Sequence, residues 1–347
     1  MRSAFSDVIG NERLRTRLCA DLQENALAHA YVIEGDPGTG KHLLALRIAM
    51  AMSCENRHST THPLPCLQCP SCRKIASGNS PDVIYVTREE KHAALGVNPI
   101  RDLRMDVYVA PNDLAVKTYI IEDAHLMTEA AQNAFLLTLE EPPSYVLFLL
   151  LCDSGARLLE TVRSRAPTLR TERVPQELLA RELCRISPEA ELLRRQAPEE
   201  YAELVQLSEG SVGTALRLLD PKLRAPLLAR REIAREFVTL CASRKSTAAT
   251  MKFINALPQK REKREELALL LQVFLACLRD LLLCKQTDGA PLCFFADREE
   301  AFALSYRFTT PELLSLCECV SAAQDQLRAN ANIRLLLIAF ATRCGLL

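Results

Sequence analysis

The stretch Ala30-Tyr31-Val32-Ile33-Glu34-Gly35-Asp36-Pro37-Gly38-Thr39-Gly40-Lys41-His42, followed at once by LLALRIAMAM, decides the fold class. AYVIE is a short apolar run of strand type, and LLALRIAMAM carries Leu and Ala at helical spacing. Between them GDPGTGKH fills seven of the eight positions of G-x-x-x-x-G-K-[ST]. A strand-loop-helix passage of this kind cradles phosphate, because glycines let backbone N–H groups wrap the oxygens and the helix N-terminus adds partial positive charge. Gly35, Gly38, Thr39, Gly40 and Lys41 are therefore candidate nucleotide contacts. His42 breaks the pattern. It stands where a Ser or Thr hydroxyl would hold the nucleotide's magnesium ion, and imidazole is a poor ligand for a hard, oxygen-preferring cation.

Outward from this loop, further short apolar runs at Asp82–Val86, Thr118–Ile121 and Val146–Leu151 alternate with helical patterns. Such alternation implies an α/β domain with a mostly parallel sheet covered on both faces. After Pro175 the strand signal stops and the chain reads as all-α. Leu178, Leu179, Leu183 and Ile186 fall on one stripe, and Leu267, Leu271, Phe274, Leu275 and Leu278 on another. Composition places a boundary near 171 and a second near 235, giving segments 1–171, 172–235 and 236–347. The charged run PQKREKREE (258–266) reads as a solvated helix face, with a binding patch as the alternative.

The run Thr118-Tyr119-Ile120-Ile121 ends in Glu122-Asp123. Nucleoside triphosphatases of this type use an Asp at the strand end to orient the metal shell and often a following Glu to polarise the attacking water. Here the order is inverted, so each carboxylate is displaced by about a methylene, and water positioning tolerates little such error. The two acids can also serve simply to end a strand.

Fourteen cysteines lie mostly singly in Leu/Ala-rich stretches, like small buried apolar residues. Cys66, Cys69 and Cys72 form a cluster, with eleven residues between Cys54 and Cys66. Thiols at i, i+3 and i+6 cannot share one face of a straight helix, but a knuckle followed by a turn gathers them. With Cys54 they complete a four-cysteine set, the closed arrangement of a structural Zn2+ site. A reduced thiol cluster, a redox pair, and His58 or His62 replacing one Cys are the competing readings.

FSDVIGNERL, LAHAYVIEGDPGTGKH, IIEDAHLMTEAAQNAFLLTLEEPP and LLETVRSRAP, in this order and spacing, resemble the clamp-loader ATPases of bacterial DNA polymerase III, within the AAA+ superfamily. The resemblance covers most of the first 220 residues. It implies an AAA+ P-loop domain with an inserted zinc module at 54–72, a small helical lid (172–235) and a C-terminal helical collar (236–347). Its partners would be other clamp-loader subunits (delta, gamma/tau) and, through the complex, the sliding clamp and primed DNA. The family's catalytic elements have decayed here. Besides His42 and Glu122-Asp123, Cys152 occupies the polar sensor 1 position, and Gly213 replaces the sensor 2 arginine of G-S-x-R. These departures resemble the delta-prime subunit rather than the gamma and tau motors. Ser164-Arg165 keeps the family's S-R-C motif with Ala166 for Cys, and implies that Arg165 is an arginine finger acting on a neighbour's nucleotide; two surface arginines, Arg163 and Arg165, are the plainer alternative. The same resemblance leaves open whether ATP or ADP occupies the loop. Its alternative is a self-sufficient gamma/tau-like ATPase.

Bulk composition agrees with an ordinary folded protein, with 48% hydrophobic and 25% charged residues. Lys plus Arg and Asp plus Glu both number 43, so no whole-molecule field draws the chain onto nucleic acid or anionic lipid. No secretory leader pattern opens it, and no run is expected to approach a membrane span, so the expected location is cytoplasmic.

Overall fold

A computed structural model describes residues 5, 7–24, 27–57, 63–88, 94–243, 247–287, 292–295 and 297–346. They form two compact units. One runs up to Ile186 and includes Gly210–Thr214; the other comprises Ser187–Glu209 and the chain from Ala215 onward.

The first unit is built on a five-stranded parallel sheet of order β2-β3-β4-β1-β5. The strands are β1 (Ala30–Glu34), β2 (Val83–Val86), β3 (Lys117–Ile121), β4 (Val146–Cys152) and β5 (Thr168–Arg170). Four of these coincide with the apolar runs of the sequence. The fifth, TLR, is too short and polar to show a pattern, and it is a strand because Val32–Glu34 offers it an edge to pair with. Alternate residues of the central strands supply two cores. Val32, Tyr119, Ile121, Phe148 and Leu150 face α4 (Val97–Asp106) and α5 (Glu129–Glu140). Tyr31, Ile33, Ile120, Leu147 and Leu149 face α1 (Glu12–Gln23) and α2 (Lys41–Ser53). With both faces covered, the strands read as continuous apolar runs. Because all strands are parallel, the C-terminal ends of β1, β3 and β4 lie side by side, the edge at which open α/β sheets bind ligands.

The short helices α3 (Pro70–Ala76), α6 (Glu160–Arg163) and α7 (Gln176–Ile186) complete this unit. On α7 the expected stripe is only partly inward. Leu179 and Leu183 are fully buried, whereas Ile186 is 39% exposed because it sits at the helix end, beyond the packed turn.

Asp82, at the entrance to β2, is fully buried and accepts hydrogen bonds from the backbone N–H groups of Asn112 (2.7 Å), Asp113 (2.8 Å) and Leu114 (2.9 Å). Burial opposes its charge, but these donors outweigh that cost and hold the carboxyl below its ordinary range. A depressed folded-state pKa stabilises the fold fully above the unfolded value of about 3.9 and loses that contribution as pH falls through the folded value. Asp82→Asn is expected to destabilise this unit by ~2 kcal/mol at neutral pH, and the gap from wild type should close in acid, as measured by denaturant unfolding across pH.

The second unit is helical: α8 (Pro188–Gln196), α9 (Pro198–Leu207), most of α10 (Val212–Leu218), α11 (Pro221–Ser243), α12 (Thr247–Ala256), α13 (Arg264–Gln286), α14 (Arg298–Ser305), α15 (Thr310–Arg328) and α16 (Ile333–Arg343). Its core centres on Phe237, stacked 4.4 Å from Phe274 and 5.5 Å from Phe340. Leu267, Leu271, Phe274 and Leu278 of α13 are fully buried, as their spacing predicts, and Leu275 is partly so. By length and composition α13 does pass as a membrane-crossing segment, contrary to the expectation that no run would. Half of its apolar window is buried against this unit's own core, which is the packing of a bundle's central helix.

Candidate functional site

The loop leaving β1 turns through Gly38 (φ 79°) and Gly40 (φ 94°), both left-handed, and enters α2 at Lys41. The Thr39 hydroxyl donates to the Asp36 carbonyl at 2.7 Å and lies 2.7 Å from the Thr171 hydroxyl, which ties the loop to the end of β5. Lys41 is turned inward. Its Nζ donates to the Gly35 carbonyl and, at 2.6 Å, to Oδ1 of Asp153 just past β4. The lysine that would meet β- and γ-phosphates in a working loop is thus bound to a protein carbonyl and a protein carboxylate.

His42, Glu122 and Tyr85 form a second self-contained group. His42 Nε2 lies 3.3 Å from Glu122 Oε1, and its ring stacks on Tyr85 with centroids 5.6 Å apart and planes 5° from parallel. His42, at the last position of the loop motif, is therefore paired with Glu122, the first acid after β3. Asp123, left-handed at φ 48°, lies 3.6 Å from Arg88 Nε. The Cys152 thiol is buried and pushed up to about 12, by burial first and then by the Glu34 charge. It stays protonated and is a weak hydrogen-bond donor, unlike a Thr or Asn at that strand end.

Gly213 lies against the phosphate loop. Its N–H donates to the Gly38 carbonyl at 2.8 Å, and the Ser211 hydroxyl donates to the Pro37 carbonyl at 3.1 Å. A Cβ at Gly213 would meet Gly38 Cα at 3.0 Å and its carbonyl oxygen at 3.1 Å; one at Gly38 would meet Ser211 Oγ at 2.3 Å. Two missing side chains let the 210–214 segment lie directly on the phosphate loop.

Arg165 lies elsewhere, in the turn between α6 and β5. Its guanidinium donates to Glu140 Oε1 at 2.7 Å and to the Thr161 carbonyl at 2.9 Å, and its side chain is 36% exposed.

The sequence-derived residues Gly35 to His42 and Glu122-Asp123 thus converge at one sheet edge. Asp153 was missed, as was His125, whose Nδ1 lies 3.4 Å from the Asp153 N–H. The available signal was an acid directly after Cys152, at the end of the strand flanking β1. Asp153→Asn is expected to tighten magnesium-nucleotide binding about tenfold, by freeing Lys41 and removing a charge that repels phosphate; titration with a fluorescent ADP analogue measures it.

Beneath the other end of α2, Cys54, Cys66, Cys69 and Cys72 gather with all four Sγ atoms within 4.8 Å of one another, every one buried. Cys54–Cys69 and Cys66–Cys72 are 4.0 Å apart, close to the ~3.8 Å edge of a thiolate tetrahedron with metal–sulfur bonds of about 2.3 Å. Leu67, at φ 58°, makes the knuckle, and the Cys69 and Cys72 N–H groups each donate to the preceding sulfur at 3.4 Å. Burial works against a charged Cys66, but N–H groups of Gln68 and Cys69 outweigh it and bring the thiol down to about 6, while burial raises Cys54 and Cys72. Cys66 is the readier thiolate, and Cys54 and Cys72 need a cation to deprotonate, as in a site that takes up a metal with release of protons. The donor set fits a single closed tetrahedral ion with no open position for chemistry. His58 and His62 lie outside the described residues.

A parallel sheet with a phosphate loop after β1, paired acids at the end of β3 with β4 between the two strands, and a further helical unit define a P-loop nucleoside-triphosphatase fold. A family model described as DNA polymerase III, delta subunit, matches residues 10–175. The DNA polymerase III subunit tau of Bacillus subtilis is 28% identical over 295 residues, covering 82% of this chain and 51% of that protein. The tau subunit of Escherichia coli is 32% identical over 216 residues, covering 62% and 32%. The match spans about a third to a half of those relatives' length. A solved DNA polymerase III gamma subunit-related protein from Thermotoga maritima aligns over 95% of this chain and 98% of that one, with 19% identity and a TM-score of 0.46. Over the matched residues the chain is similar to the delta and tau subunits of bacterial DNA polymerase III.

Proposed function

We propose that this chain is a delta-prime-like stator of the polymerase III clamp loader. It hydrolyses little or no ATP itself, lends Arg165 to the nucleotide of an adjacent motor subunit, and helps the assembly load the sliding clamp onto primed DNA. One observation carries the reading. At the phosphate loop, the groups a motor turns toward phosphate and metal are turned toward the protein: Lys41 onto Gly35 and Asp153, and His42 onto Glu122. In this reading the four-cysteine set holds a structural zinc ion. The chain divides into an AAA+ domain (1–171), a lid (172–235) and a collar (236–347) docking beside delta and gamma/tau subunits in the cytoplasm.

The second reading is a gamma/tau-like motor. It is supported by the curated relatives, which are tau and gamma/tau subunits, and by the retained left-handed glycines and Lys41. Steady-state ATP hydrolysis by the isolated chain, with magnesium and primed DNA, separates the two. The stator reading expects turnover no higher than that of Lys41→Ala. Brisk turnover abolished by that substitution would establish the motor.

A further inference from the structure

The charged run 258–266 reads as a solvated face in sequence, but in the second unit it borders a cavity of about 370 Å³. Lys260 and Lys263 line it from the α12–α13 connection, Arg230 from α11 and Arg334 from α16. Positions far apart in the chain thus bring four cations to one cavity of a protein whose net charge is zero. Glu266 is the carboxylate in the lining, and it lies 3.3 Å from Lys263. Arg230, Lys260 and Arg334 have no ion pair among the described residues, and Arg230 is half-buried. Lys260, Lys263 and Arg334 are exposed, so water screens most of their mutual repulsion; the part that Glu266 leaves uncompensated is relieved by a bound anion.

We infer that this cavity is a binding site for phosphate groups. Two arginine forks match phosphate geometry, and the volume lies in the range of small-ligand sites, with room for a pyrophosphate or for one nucleotide of a strand. The apolar side chains of Ile233 and Leu270 also line the cavity, beside its charged groups. The inference rests on the second unit alone and is independent of whether the phosphate loop works.

The test uses the full chain carrying Lys41→Ala, so that phosphate binding at the loop does not contribute. Inorganic pyrophosphate is titrated by calorimetry, and a short fluorescein-labelled single-stranded DNA by anisotropy. The expected result is saturable binding, weakened about tenfold by Arg230→Gln and similarly by Arg334→Gln. For a strand making three phosphate contacts, log K should fall against log salt with a slope of about −2. Lys260→Glu, on an exposed loop position, keeps the test readable should Arg230→Gln perturb folding, which thermal melting checks. Pyrophosphate displacing the strand assigns the site to nucleic-acid phosphates. Pyrophosphate binding without strand binding assigns it to a free phosphorylated ligand. Equal affinity in the parent and all three variants, or no saturable binding of either probe, overturns the inference.

Discussion

Replacing Arg165 by Ala is expected to slow ATP hydrolysis at the neighbouring motor site about 10³-fold, with the complex still assembling. Negative charge spreads over the γ-phosphate oxygens as the bond to the leaving group breaks, and a guanidinium held against them stabilises that charge more than it stabilises the bound nucleotide. The isolated chain holds Arg165 in a way compatible with such a transfer. Its partner Glu140 is 46% exposed, and an exposed pair of this kind is worth only ~0–1 kcal/mol, so exchange for a phosphate costs little. Arg165→Lys should recover only a small part of the rate, because an ammonium lacks the planar fork that meets two oxygens. Glu140→Gln should leave hydrolysis near wild type. Single-turnover hydrolysis in a reconstituted complex whose other sites are silenced, with assembly followed by gel filtration, is the measurement. Unchanged turnover in a fully assembled Arg165→Ala complex would remove the finger role.

The second large effect is expected at the cysteine cluster. Stripping the metal with a chelator, or introducing Cys69→Ser with Cys72→Ser, should destabilise the first unit by ~3 kcal/mol, which is about 6 to 12 °C in Tm for a domain of 150 to 250 residues. The loss is smaller than the whole metal-binding energy of a zinc finger, because the sheet and its two cores persist without the ion. The affected residues are Leu64 to Ile75 and the end of α2, where Met50, Ile75 and Leu114 are buried around the cysteines and Leu46, Leu64 and Val83 are partly buried against them. Calorimetry of the loaded, stripped and substituted chains, with metal content by atomic emission, measures it. A chain purified without a stoichiometric ion and melting at the same temperature after Cys69→Ser would exclude a structural metal. The geometry leaves no place for catalysis here, so hydrolysis in the complex should change only as far as folding does.

The sheet was legible because its strands are buried on both faces. Burial on both sides forces runs such as VLFLLLC to be apolar at every position, and such runs stand out against the helical spacing between them. The three-residue β5 escaped notice because its pairing, not its composition, makes it a strand. Ile186 was placed inside by periodicity alone, although a stripe at a helix end has nothing left to pack on. On α13 the apolar excess was visible, but whether it faces a core or a membrane is a matter of what surrounds it.

The same division holds at the candidate site. Chain-local chemistry is written in the sequence. A glycine loop with Lys41, an imidazole at position 42, and thiols at spacings that need a knuckle are each fixed by residues close in the chain, so composition and spacing reach them. Tertiary structure alone decided where those groups point. Asp153 meets Lys41 across 112 residues, Gly213 closes on Gly38 from far downstream, and Arg230, Lys260 and Arg334 line one cavity. Such meetings depend on strand order and helix packing, and contacts of long sequence separation leave no periodic trace in the amino-acid order.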